Sequence, residues 1–222
     1  MSSMPNVTTF SVGPEDPLSL LPRTTIQQYK KNDVIYAAED RGESLYLIID
    51  GRVKVSRLAE GGREVILGFY HKDEFFGESR FLGADRPGEQ ATAVDPTSVM
   101  VWTTAELRRL MQRTPALGPA LLRVVAQKLS EAHSRIEGFC LDPIPRRLAR
   151  GLLNYAERLG QPAPDQWLHL PPITHEQLAR YIGTSREIIT QYMNRFRREH
   201  LLKYSRRGVE VDPAAMNKYL EK

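Results

Sequence analysis

The sequence predicts an α+β chain: a jelly-roll β-barrel, then a long helix, then a small basic unit of short helices and a hairpin. Three observations point there. Short apolar runs broken by turn residues fill Thr25–Thr103, a proline-free amphipathic segment covers Ala116–Phe139, and positive charge gathers in the last third.

The barrel rests on Ser44–Asp50, Arg52–Leu58, Val65–Tyr70 and Ser98–Thr103, which are rich in β-branched and aromatic residues. Asp50-Gly51 and Gly61-Gly62 supply tight turns between them. Short strands at such spacing suggest a barrel or jelly roll. A helix is expected over Thr104–Arg113, stopped by Pro115.

In the next helix Gly118, Leu122, Val125, Leu129, Ala132, Ile136 and Phe139 recur at alternating steps of four and three. That heptad seam keeps one stripe against a partner helix along its whole length. A second stripe, Leu121, Val124 and Lys128, is free to lie on the barrel. Two faces to bury favour a dimer helix over an amphipathic helix packed on its own domain alone. Asp142-Pro143-Ile144-Pro145 breaks the helix. The expected division is a sensor domain at 1–115, a dimerisation helix at 116–140 and a third unit at 141–222.

Residues 1–140 carry 17 Lys and Arg against 18 Asp and Glu, whereas 141–222 carry 14 against 9, a net +5. The third unit is therefore the part suited to a polyanion. No stretch is apolar enough to span a bilayer, and Met1–Leu21 lacks the basic start and apolar run of a secretory signal. Cys140 is the single cysteine, which excludes an intramolecular disulfide or a cysteine cluster for zinc or iron–sulfur. A reducing cytoplasm is the expected setting.

Within 141–222 the segment Ile173–Phe196 carries the function. Thr174 with Gln177 three residues on is a capping box. Leu178, Ala179 and Ile182 form a buried side, Gly183 turns the chain, and Thr184 or Ser185 caps a second helix reaching Glu199. Two short helices with a glycine turn read as a helix-turn-helix. On the second, Arg186, Glu187, Thr190 and Gln191 share one face near the N-terminus. Arginine pairs with guanine O6 and N7, glutamate accepts from cytosine N4, and glutamine pairs with adenine. Thr174, Ser185 and Arg195 are candidates for the phosphate backbone, with Arg197 and Arg198 extending the basic surface. Leu202–Val211 reads as a wing whose Arg206 and Arg207 near the tip are further backbone candidates. The plain alternative is a solvated helix in which Glu187 merely completes a capping box with Thr184.

Gly51-Arg52-Val53-Lys54-Val55, Phe76-Gly77-Glu78 and Thr184-Ser185-Arg186-Glu187 stand in the order and spacing of the Crp/Fnr family, the cyclic-AMP receptor protein and its relatives, which the chain resembles from about Leu20 onward. The resemblance implies a cyclic-nucleotide-binding-like jelly roll, a dimerising central helix and a winged helix-turn-helix on a palindromic operator. It implies double-stranded DNA, a second copy of the chain and RNA polymerase as partners. It puts Arg186 and Glu187 at base-reading positions. Gln191 falls where cyclic-AMP regulators usually have arginine.

The same resemblance supplies effector-pocket candidates. Gly77 and Glu78 stand where the ribose is held. Glu89-Gln90 occupy the place of the Arg-Ser pair that holds phosphate, and Ala132-His133 the place of the polar pair that meets adenine. A carboxylate repels a phosphate, and alanine makes no hydrogen bond. No cofactor is expected, and cyclic AMP is not expected as a tight effector. Arg86 could substitute only in a rearranged loop. His71 and His133 are available as haem ligands and Cys140 as a redox sensor, but single histidines are more often surface or core residues and an isolated cysteine at a helix end is usually inert packing. The alternative function is a cyclic-nucleotide-binding or redox-responsive signalling regulator with an atypical effector site. One form of it, a module docking a protein partner, would expose apolar anchors rather than this charged face. No metal-ligand set, nucleophile–base set or phosphate-cradling glycine loop marks an enzyme.

Overall fold

The computed structural model describes residues 16–37, 39–40, 43–59, 61–83, 88–205 and 208–221. In chain order, a short helix α1 (Pro17–Leu20) precedes the strands β1 (Ile26–Tyr29), β2 (Val34–Tyr36), β3 (Ser44–Asp50), β4 (Arg52–Leu58), β5 (Glu64–His71) and β6 (Phe75–Phe76). A four-residue helix α2 (Glu78–Phe81) leads to β7 (Glu89–Ala93) and β8 (Thr97–Thr103). Two antiparallel four-stranded sheets result, ordered β1-β8-β3-β6 and β2-β7-β4-β5, the jelly roll the sequence predicts.

The continuous apolar run of β3 follows from coverage of both its faces. Tyr46 and Ile48 point between the sheets with Val53, Val55, Phe76 and Val99. Leu45 and Leu47 point the other way, against α3 (Thr104–Arg113) and the start of α4 (Leu117–Leu141), meeting Trp102, Leu107, Leu117 and Leu121. Thr103 and Glu106 form the capping box of α3. Helix α4 runs two residues further than expected, and Pro143 then starts α5 (Ile144–Leu159).

The expected second stripe of α4 does meet the barrel: Leu121 is buried, Val124 packs beside it, and Lys128 bonds Phe75 O at 2.6 Å. The seam side stays open. Leu122, Leu129 and Ile136 are 68%, 54% and 57% exposed. Phe139, the last seam candidate, is 43% exposed and also has neighbours within its own chain. It lies under the turn after α6 (His175–Ile182), where a Cβ on Gly183 would come within 3.0 Å of its ring. Arg135 and Arg147 flank the same ring.

The C-terminal unit adds short strands β9 (Gln161–Pro162) and β10 (Leu168–His169), the helix α7 (Arg186–Arg198), the hairpin β11 (Leu202–Ser205) and β12 (Gly208–Val211), and α8 (Pro213–Leu220). Its sheet runs β11-β12-β10-β9. Leu148, Leu152, Leu178, Ile189, Met193, Phe196 and Met216 fill the core beneath it. Two barrel residues, Ile66 and Phe69 of β5, belong to that same core. Phe69 meets Tyr155 and Tyr181 at ring separations of 5.5 and 5.7 Å. Among the described residues, no helix is long and apolar enough to cross a membrane.

Candidate nucleic-acid interface and effector cleft

Helix α6 starts as expected: Thr174 Oγ1 accepts from Gln177 N at 3.1 Å while Gln177 Oε1 accepts from Thr174 N at 2.9 Å. Gly183 ends it at φ 76°, a left-handed conformation that glycine adopts without Cβ strain. Ser185, not Thr184, caps α7, its hydroxyl accepting from Ile188 N at 3.3 Å. Ile189, Met193 and Phe196 bury one side of α7.

The opposite side carries the reading candidates. Arg186, Glu187 and Gln191 are exposed at the N-terminal half of α7. Hydrogen bonds from its own main-chain N–H and from Ser185 hold the Glu187 carboxyl below its ordinary value. A deprotonated acceptor, a forked donor and an amide thus stand together where amide dipoles also favour phosphate. Arg195 is exposed and pairs with Glu199 at 2.7 Å, an arrangement that costs little to exchange for phosphate. Arg197 lies 5.8 Å from the Tyr204 ring. Arg206 and Arg207 lie outside the described residues.

Thr190 departs from the expected face. Its hydroxyl donates to Arg186 O and lies 2.9 Å from His175 Nδ1, so the group is occupied between the two helices rather than offered to a base. Sequence reasoning passed over His175. Burial, then the charge of Arg186, lowers its pKa below the ordinary histidine value.

Between barrel, α4 and the C-terminal unit lies a cleft of about 680 Å³. Of the effector-pocket candidates, Gly77, Glu78, Glu89 and Ala132 line it and Gln90 and His133 do not. Strand alternation sends Gln90 to the face opposite Glu89, where its amide is 3.4 Å from Ser56 Oγ. His133 is exposed on α4.

Glu89 is only 6% exposed, and its Oε1 accepts from Tyr36 Oη at 3.0 Å and Ser79 Oγ at 2.8 Å. Burial, reinforced by Glu89, pushes the Tyr36 phenol far above its ordinary value, so it remains a donor. Glu78 accepts from Lys128 Nζ at 2.8 Å, and that ammonium sits 4.3 Å from the Tyr70 ring centre. Glu78 and Glu89, which stand at the family's ribose and phosphate positions, are thus engaged with the chain's own donors. Arg86 lies outside the described residues, and no group of three metal-ligating side chains occurs among those described. His71 Nδ1 lies 2.7 Å from Lys72 O, and Cys140 is exposed.

The cyclic nucleotide-binding domain model matches residues 26–114, and the Crp-like helix-turn-helix domain model matches 146–219. The chain belongs to the Crp/Fnr family. It is a DNA-binding transcription regulator rather than an enzyme. Among its relatives, the CRP-like cAMP-activated global transcriptional regulator of Mycobacterium tuberculosis is 27% identical over 76% of this chain and 75% of that protein. The cyclic AMP receptor protein of Thermus thermophilus is 28% identical over 85% and 84%. The FixK2 structure from Bradyrhizobium japonicum shares the fold at a TM-score of 0.75 and 21% identity, covering 87% of this chain and 96% of its own.

One further feature of this Crp/Fnr chain joins the cleft to the reading unit. The pairing of β4 with β5 skips Leu67, a bulge that frees its carbonyl at the sheet edge. Arg135 of α4 takes that oxygen together with Ile66 O at 3.3 Å and Tyr181 O at 3.1 Å, the last at the end of α6. Arg180 pairs with Glu64 of β5, which also binds Lys54. Arg158 pairs with Glu74, and Arg52 donates to Tyr155 Oη at 2.9 Å. Sequence reasoning passed over Arg135 because its role depends on a bulge in a distant strand.

Proposed function

We propose that this regulator grips a palindromic operator as a homodimer, reads it with Arg186, Glu187 and Gln191 of α7, and does so without cyclic AMP. The observation that carries the reading is the exposed trio on a capped helix whose other side is buried. Dimerisation is supported by the open seam Leu122–Leu129–Ile136. In this reading 1–115 senses, 116–140 dimerises and 141–222 binds DNA, with RNA polymerase as the further partner and the cytoplasm as the compartment.

The test is selection of sites from random duplex DNA with ligand-free protein. A two-fold symmetric consensus is expected; recovery of no consensus without added nucleotide would overturn effector independence. On the selected site, Arg186→Ala should cost roughly 1–3 kcal/mol at one G·C pair and relax the preference there. An equal loss on selected and random DNA would remove Arg186 from base reading.

Independence from cyclic AMP is supported by Glu89 in the place of a phosphate-holding arginine and by Lys128 on Glu78. A phosphate entering the cleft would face the buried carboxylate. The relatives named as cAMP-activated set the contrary expectation. Calorimetric titration of the apo dimer with cyclic AMP decides between them. No saturable heat is expected at micromolar nucleotide, and tight stoichiometric binding would refute the reading.

A further inference from the structure

We propose that His175 is a positioning residue of the DNA-reading surface, setting the first turn of α7 through Thr190; the inference rests on α7 being the reading helix. His175 Nδ1 is 2.9 Å from Thr190 Oγ1, and Thr190 Oγ1 donates to Arg186 O at 2.9 Å. A hydroxyl has one hydrogen. Since Thr190 gives its own to Arg186 O, it accepts from the imidazole, and Nδ1 carries the hydrogen.

The result is a relay from the first residue of α6, through a side chain of α7, to the main chain of Arg186. Its near end is itself fixed, because Thr174 and Gln177 cap the turn that holds His175. Its far end is the turn bearing Arg186 and Glu187, the two side chains whose reach to base edges depends on the pitch of that turn. A hydrophobic contact would hold the helices together. The relay adds a directional constraint at the residue that reads.

The relay also accounts for the residue types. Threonine is a modest helix former, and at this position its hydroxyl bonds back to the carbonyl four residues earlier, a contact that by itself slightly bends a helix. The His175 donor pins that hydroxyl from the other side. Burial and Arg186 disfavour the imidazolium, and the neutral ring carrying its hydrogen on Nδ1 is all the relay needs.

The experiment is a double-mutant cycle on the selected operator, reading the ratio of operator to random-DNA affinity. His175→Ala and Thr190→Val should each lower that ratio about tenfold, as for one lost hydrogen bond, and the double variant should lose no more than either. His175→Asn, whose amide nitrogen can stand where Nδ1 stands, should recover most of the ratio, and His175→Gln, whose donor falls elsewhere, should not. Multiplicative losses, equal loss on both DNAs, or an Asn variant no better than Ala would each overturn the proposal. Arg186→Ala serves as reference. If the wild type and that variant prefer no operator, the reading of α7 itself fails. If Arg186→Ala loses the preference while His175→Ala keeps it, only the relay is refuted.

Discussion

Replacing Arg135 by alanine is expected to raise amide exchange in β5 and at the end of α6 by roughly 30- to 150-fold, with far less change in β3 and β8. One guanidinium serves three main-chain carbonyls there, two on the bulged edge strand β5 and one at the last turn of α6. Both sites belong to classes of carbonyl with no partner inside their own element, a sheet edge and a helix terminus. Charge-assisted bonds contribute about 1.5–3 kcal/mol each in favourable settings. The half-buried location reduces that sum, and about 2–3 kcal/mol for the cluster corresponds to the stated factor. The change should stay local, because the cores between the sheets and beneath α7 have separate apolar contents. Arg135→Lys should recover only part, since an ammonium has the charge but not the planar fork that spans three acceptors. Exchange mass spectrometry checks this directly. Unchanged protection in β5 and α6 would mean that Phe69 with Tyr155 and Tyr181, and the Arg180–Glu64 pair, hold the two units unaided.

Elements whose chemistry is local were legible in the sequence. The strands Ser44–Asp50 and Arg52–Leu58 carry dense apolar patterns and end at glycine turns, and both run over the expected residues. The capping box at Thr174 and the turn at Gly183 need only their neighbours, and both are present. β1, β2 and β7 were not legible. Ile26–Tyr29 is largely exposed, Val34–Tyr36 has three residues, and Glu89–Ala93 holds no large apolar side chain. Those strands are held by partners distant in sequence, β8, β7 and β4, so no short window carries their signal.

The candidate sites divide in the same way. Arg186, Glu187 and Gln191 share a face by helical period alone. Thr190 has that period too, yet His175, fifteen residues earlier, removes it from the face. In the cleft, motif spacing brought Glu78 and Glu89 to the lining. The next residue, Gln90, is on the opposite face of β7, a consequence of the two-residue period of a strand. Lys128 appeared in the sequence only as part of a stripe toward the barrel, and its pairing with Glu78 spans fifty positions.

Leu122→Glu is expected to convert the protein to a monomer and to lower operator affinity at least about a hundredfold at nanomolar concentrations. The seam sets large residues, Leu122, Leu129 and Ile136, at every seventh position, and smaller ones, Gly118, Val125 and Ala132, between them. That alternation lets two copies of α4 approach closely with interdigitated side chains. Its large members remain more than half exposed while the other stripe of the same helix packs on the barrel, with Leu121 buried, so the folded chain has an uncovered apolar line. Covering a leucine stabilises by about 1.5–3 kcal/mol, and a symmetric pair loses two of them, about 3–6 kcal/mol, or two to four decades in dimer dissociation. Two carboxylates brought together across the axis add to that cost. Leu122 is the position of choice because its exposure lets the monomer fold with glutamate there, and because, unlike Leu129, it does not line the cleft. Leu122→Met, which conserves volume, should remain dimeric. Sedimentation equilibrium gives the oligomeric state, and DNA with one or both half-sites separates the consequences: the monomer should bind either DNA with similar weakness, whereas the wild type should prefer the full site. A Leu122→Glu protein that stays dimeric and keeps that preference would move the dimer axis off this face of α4.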